Sequence, residues 1–236
     1  MSDSPETLPA SPSSPIENLR LILTESRALI SPETLYHKFT HRHADRVANL
    51  AADVESLIAT GRFEAAALIV RSMLESIFNI VAAARLRDEF VKQKTLYEVR
   101  SWIRYAGKIS PDPNGVVKLA IDRMRQLEGE LLSQFQPTSS FPKQDAWDCA
   151  VAAQHEDVYR EIYFSLSLHT HASTLGKLVR DAGVDETLIR NTLSYCVVIA
   201  SQQLLTVFNP GDRAQQLAQL EILAAKFKQW LLGNPY

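Results

Sequence analysis

The sequence predicts an all-α protein, a multi-helix bundle of about seven to nine helices, on three observations. Glycine is scarce, 8 of 236 residues, which leaves few tight turns and favours long helices. Apolar residues recur at steps of three and four along most of the chain, the spacing of one buried helical face. No stretch alternates apolar and polar residues as a half-buried strand does, and no internal repeat is present.

Taken in order, residues 1–15 hold four prolines and five serines and little to bury, so a disordered tail is expected there, followed by one helical domain over 16–236. Helical patterning begins at Ile16. Ser31-Pro32-Glu33 is a helix-start signal, because a serine oxygen caps an orphan amide and proline loses nothing at the first helical position. That helix should run to about Thr60 and stop at Gly61. Residues 62–88 form the most apolar helix, and a second helix follows from about Glu89 to Ala106, ending at Gly107. In 115–135 the positions Val117, Ala120, Met124, Leu127, Leu131 and Phe135 define a buried face. After a loop over 136–143, helices are expected at 145–154 and from Glu156 to about Asp181, where Gly183 gives a stop and Asp185 a new N-cap. The next helix runs to Phe208. The last starts after Asp212 and carries Leu217, Leu220, Leu223, Phe227 and Trp230 on one face.

The formal net charge of −2 argues against a protein that binds nucleic acid over its whole surface. Locally, ten Lys/Arg face five Asp/Glu between Arg85 and Arg125, which is either a solvated helical face or an RNA-binding one. Cys149 and Cys196 lack metal-ligand spacing and sit in apolar surroundings, as buried free thiols do in a reducing cytoplasm. No apolar run is expected to approach the roughly 18–20 residues of a membrane span, and the acidic, Pro/Ser-rich start is unlike a secretory signal. A cytoplasmic protein that engages no membrane is expected, acting alone or as a homodimer.

Two polar stripes carry the candidate site. On the 62–88 helix Arg71, Ser72, Glu75, Ser76 and Asn79 form one narrow polar strip on an otherwise apolar surface, with Arg71 and Glu75 one turn apart and able to pair. Downstream, Tyr159, Tyr163, Ser167 and His171 stand at successive steps of four and share a face. His171 alone in that column changes charge near neutral pH. His169 points elsewhere around the helix and Arg160 lies one residue off the stripe. His37, His41 and Asp45 form an i, i+4, i+8 row, a weak metal pattern; no metal or other cofactor is expected.

The combination A-A-x-x-x-x-R-S-x-x-E-S with a downstream W-x-x-x-x-x-A and Y-x-x-x-Y-x-x-x-S-x-x-x-H resembles a bacterial helical family classed as domain of unknown function 5677. The residues that carry the likeness are Arg71, Glu75, Trp147, Tyr159, Tyr163, Ser167 and His171. The resemblance implies an all-α fold with these polar residues near one another and supplies no activity. A looser resemblance is to HEPN-type helical ribonucleases of toxin and phage-defence systems, which use an arginine and a histidine separated by four to six residues on a helix. Here eight residues separate Arg160 from His169.

Two functions follow as expectations. The first is a binding or regulatory helical module of unknown ligand, in which the seam between the two stripes is either a structural polar network or a ligand pocket. The alternative is a metal-independent ribonuclease or other hydrolase. In that reading His171 is the general acid/base, Arg71 stabilises phosphate charge, Glu75 orients its neighbours, and Ser167, Tyr163 and Tyr159 position the substrate. Motifs of the common nucleotide-binding, esterase and zinc-protease classes are missing.

Overall fold

The computed structural model describes residues 14–31, 34–108, 115–135, 145–168, 186–209 and 213–233. Among them there is no strand, and eight helices form the all-α bundle that the sequence predicts.

Helix α1 (Pro15–Ser26) opens one residue before the expected start. Ser14 accepts from the Glu17 amide, the Glu17 carboxylate accepts from the Ser14 amide, and Pro15 fills the first position. This reciprocal cap satisfies two orphan donors at once, so the final two residues assigned to the tail belong to the helix start. A 3-10 turn (Arg27–Leu29) follows. Helix α2 (Leu35–Ala59) begins later than the Ser31 signal suggests, with Thr34 at its N-cap; Pro32 and Glu33 lie outside the described residues. It ends as Gly61 predicts. Gly61 takes the left-handed φ of 68°, its amide donates to the Ile58 carbonyl at 3.0 Å, and the Arg62 amide donates to the Leu57 carbonyl at 2.8 Å. That pair of bonds reverses the chain and closes the helix end.

Helix α3 (Phe63–Ala106) is the centre of the bundle, packed on α2, α4, α5 and α7. Met73, Leu74, Ile77, Phe78 and Ile80 are fully enclosed, each contributing about 1.5–3 kcal/mol of burial. Ala44, Ala48 and Ala51 on α2 are enclosed too, and their small side chains let the two helices approach closely. By length and composition α3 contains a window apolar enough to cross a membrane, although 67% of that window is buried inside the fold. An uninterrupted-run criterion misses it because Arg71 and Glu75 interrupt the run without making the average polar.

The break expected near residue 88 is real. Arg87 has φ 56° and ψ −144°, a conformation that costs a non-glycine residue on the order of 1–3 kcal/mol. Its neighbours hold it there: the Arg87 guanidinium lies over the Tyr36 ring at 4.8 Å, and the Asp88 carboxylate accepts from the Tyr36 amide at 2.8 Å. Thus α3 has two arms that meet at a corner.

Helix α4 (Val116–Gln134) shows its predicted face at shallower depth. Leu131 is buried whereas Val117, Ala120, Met124 and Leu127 are half-buried, because α4 lies at the edge of the bundle against α3. The Arg100–Glu128 ion pair, 2.6 Å, ties the two and neutralises part of the basic 85–125 segment.

Helix α5 (Ala146–Ala153) is capped reciprocally by Asp145 and Asp148. It ends on Gln154 in the left-handed conformation, with the His155 amide bonded to the Ala150 carbonyl at 2.8 Å. Helix α6 (156–168) then runs back along the bundle. It is α-helical over Glu156–Val158 and Phe164–Leu168, and a π-helical turn, Tyr159–Tyr163, separates the two pieces. The predicted continuation to Asp181, the stop at Gly183 and the cap at Asp185 lie outside the described residues. Helix α7 (Glu186–Phe208) is apolar nearly all round and enclosed by α1, α2, α3 and α8. On α8 (Ala214–Gly233) the buried face is carried by Leu220, Ala224 and Leu231, while Leu223 is 41% exposed. Of the expected row, Leu217, Phe227 and Trp230 are half-buried against the core, while Ala224 is buried in place of Leu223.

Candidate functional site

The two polar stripes meet where α6 crosses the first arm of α3. Arg71 donates from Nε to the Ser167 hydroxyl at 2.8 Å and from Nη2 to the Tyr163 phenol at 2.5 Å. The Tyr163 hydroxyl in turn donates to Glu75 Oε1 at 2.6 Å, and Ser167 donates to the Tyr163 carbonyl at 2.7 Å. Arg71 and Glu75 are themselves 3.4 Å apart. The network is thus a closed loop in which each hydroxyl both accepts and donates, the arrangement that satisfies buried polar groups. Tyr163 and Ser167 are buried, whereas the Arg71 and Glu75 side chains keep 27% and 36% of their exposure.

Aromatic rings back the network. Tyr163 stacks on Tyr159 with centroids 4.7 Å apart, Tyr159 meets Trp147 edge-on at 5.1 Å, and the Arg160 guanidinium lies 5.2 Å over Trp147. Arg71 also lies 4.6 Å over the Tyr163 ring. The wider π turn supports this stack: the Phe164 amide bonds to the Tyr159 carbonyl five residues back, and single π turns inside α-helices recur at functional sites.

Burial, and after it the bond to and negative charge of Glu75, push the Tyr163 phenol far above its ordinary range. At neutral pH Tyr163 is therefore a fixed donor and not a base.

Beside this loop is a cavity of about 260 Å³, lined by Glu75, Asn79, Lys94, Tyr97, Asp145, Ala146, Cys149 and Tyr163. It gathers both arms of α3, the start of α5 and the π turn. Asn79, one of these lining residues, has a buried side-chain oxygen with no hydrogen-bond partner. Lys94 is also buried, pairs with Glu98 at 3.6 Å, and bonds to Cys149. Burial pushes the Cys149 thiol up to about 11, with Lys94 acting against that shift. A thiol held neutral in this way is a weak nucleophile.

The structure brings together Arg71, Glu75, Tyr163 and Ser167, with Tyr159 stacked behind them. His171 and His169 lie outside the described residues. Ser72 and Ser76 share the polar strip but are not among the cavity's lining residues. Lys94, Tyr97, Asp145 and Cys149 enter the site without having been singled out for it. The only sequence signal for them is indirect, a buried helix bearing a charge and a helix cap beside a thiol. His37 packs instead against Tyr36 and Phe208, and the His41 ring bonds to the Leu23 carbonyl at 3.0 Å. No three His, Cys, Asp or Glu residues among those described are placed to hold a metal ion.

No curated protein and no solved structure matches the chain. The family comparison gives no support to the looser HEPN-type likeness. A family model does match, over residues 37–186, more than half of the chain and the whole of the α3–α6 seam. The chain belongs to that family, the family of unknown function DUF5677.

Proposed function

We propose that this protein is a binding module for a small polar molecule, held in the cavity between the two arms of α3, α5 and the π turn. The observation that carries the reading is Asn79. Its buried oxygen has no partner, and leaving such an acceptor unmet costs about 1–3 kcal/mol. A ligand bearing an amine, amide or hydroxyl donor removes that cost. Lys94 supplies a donor for a ligand acceptor, and Glu75 supplies a further acceptor. A volume of about 260 Å³ lies just below the ~300–1,000 Å³ of drug-sized sites, so the ligand is small. The Arg71–Tyr163–Glu75–Ser167 loop then serves as the rigid wall that fixes the Glu75 carboxylate.

The test is native mass spectrometry of protein purified from cells, followed by thermal-shift titration with a panel of small amines, amides and amino alcohols. The expected result is a compound that stabilises the wild type and leaves Asn79→Leu and Glu75→Gln unaffected. The reading fails if every stabilising compound acts equally on Asn79→Leu.

The hydrolase reading draws on a different observation. Ser167, which Arg71 grips at 2.8 Å, precedes His171 by four residues. In that reading His171→Ala abolishes cleavage of labelled RNA by the wild type. Equal activity in the two proteins, or none in either, removes it.

A further inference from the structure

A second cavity lies away from the seam, in the cleft between α1 and α2. Its volume is about 570 Å³, inside the ~300–1,000 Å³ range of small-molecule sites. Arg20 and Arg27 reach it from α1 and the 3-10 turn, and Lys38, His41 and Arg42 reach it from the beginning of α2. Among the described lining residues Asp45 is the one carboxylate, set against the guanidinium groups of Arg20, Arg27 and Arg42 and the Lys38 ammonium. This concentration occurs on a chain whose formal net charge is −2.

Among the described residues Arg20, Arg27 and Arg42 have no carboxylate within ion-pair distance. Their mutual repulsion is a standing cost that a bound anion removes, and low-dielectric walls focus the field into the cleft. Guanidinium groups present planar pairs of donors that match phosphate oxygens, which favours a phosphoryl group over a diffuse counter-ion. The opposite chemistry stands on the same wall. Asp45, oriented by the Asn49 amide at 3.3 Å, is an acceptor suited to a hydroxyl group, and the His41 ring is pinned by its bond to the Leu23 carbonyl.

We propose that the α1–α2 cleft is a second binding site, for a phosphorylated, hydroxyl-bearing small molecule of nucleotide size. Its phosphates are held by Arg20, Arg27 and Arg42 and a hydroxyl by Asp45. The α2 residues fall within the family-matched segment, while Arg20 and Arg27 precede it. The cleft is therefore completed by a helix outside that segment.

The test is calorimetric titration of the full chain with ATP, with inorganic tripolyphosphate, and with a single-stranded RNA of about 12 nucleotides, since RNA presents the same phosphate chemistry. ATP is expected to saturate one site per chain. Arg20→Glu with Arg42→Glu should raise its Kd by about tenfold or more, whereas Arg123→Glu with Lys226→Glu, an equal charge change elsewhere, should raise it by less than about twofold. Asp45→Asn should weaken ATP and leave tripolyphosphate unchanged, because only ATP brings hydroxyls. Circular dichroism checks that each variant is folded; the four substituted cations are exposed. Three results overturn the proposal: no saturable ATP binding by the wild type, equal losses in the two double variants, or RNA binding that ATP does not displace.

Discussion

Asn79 and Lys94 are fifteen residues apart in α3, yet they line the same cavity. On a straight helix that separation is about 22 Å at 1.5 Å per residue. The corner at Arg87 is what brings them together, so the site depends on a backbone conformation that arginine adopts only under strain.

Replacing Arg87 with glycine should relieve that strain. Arg87→Gly also loses the contact over Tyr36, worth about 0.5–1 kcal/mol, so the net expectation is a gain of about 1 kcal/mol. Arg87→Ala keeps the strain and loses the contact, and should be less stable than the wild type by about 0.5–1 kcal/mol. Urea unfolding midpoints of the three proteins check the order Gly, wild type, Ala.

Tyr163→Phe removes the hydroxyl that links Arg71 to Glu75 while keeping the ring and its stack on Tyr159. Hydrogen bonds to charged groups contribute about 1.5–3 kcal/mol, and the direct Arg71–Glu75 approach of 3.4 Å replaces part of that. A loss of about 1–2 kcal/mol is expected in denaturant unfolding. A loss below the resolution of the measurement would show that the loop holds no stability.

Arg71→Met tests the same loop from the other side. A fully buried Glu75 stripped of its partner would cost about 3–5 kcal/mol. The Glu75 side chain keeps 36% of its exposure, so water takes over part of the pairing and a smaller loss, about 1–3 kcal/mol, is expected. Adding Glu75→Gln to Arg71→Met should then cost little more, which a double-mutant cycle reads directly.

Acid sensitivity should centre on His43. Burial first, then the charges of Arg46, Lys94 and Arg42, lower its pKa to about 3 from the ordinary 6.5. Between those values the unfolded chain binds the proton and the folded one does not. Stability therefore falls as pH drops from about 6.5 toward 3, by at most about 1.4 kcal/mol per unit for this proton. His155 and His37 are lowered by burial as well and steepen the same limb. His43→Phe, which preserves an aromatic partner for Phe39 at 4.3 Å, should flatten it. Unfolding free energies at pH 7 and pH 5 for both proteins make the comparison.

The helices, the polar strip on α3 and the column on α6 were legible because side-chain periodicity records which face is enclosed. So was the division of α3 near residue 88, where the run of apolar residues gives way to charges. The direction of the second arm was not legible. It depends on the φ and ψ of Arg87, which no side-chain pattern encodes, and with it went the placement of Lys94 and Tyr97 opposite Asn79. Asp145 was readable as a helix start but not as part of a cavity wall, since capping is local and the cavity is tertiary. The depth of α4 failed for a similar reason. Its phase is intrinsic to the sequence, whereas its burial depends on how many neighbours cover it.

The π turn at Tyr159–Tyr163 ties the seam to a count of residues as much as to their identities. Winding the same residues as an ordinary α-helix would rotate everything beyond the turn by about 100° relative to everything before. Tyr163 and Ser167 would then swing away from Arg71 together, even with every side chain of the loop still present. A relative shortened by one residue here would keep the same wall on an ordinary α-helix.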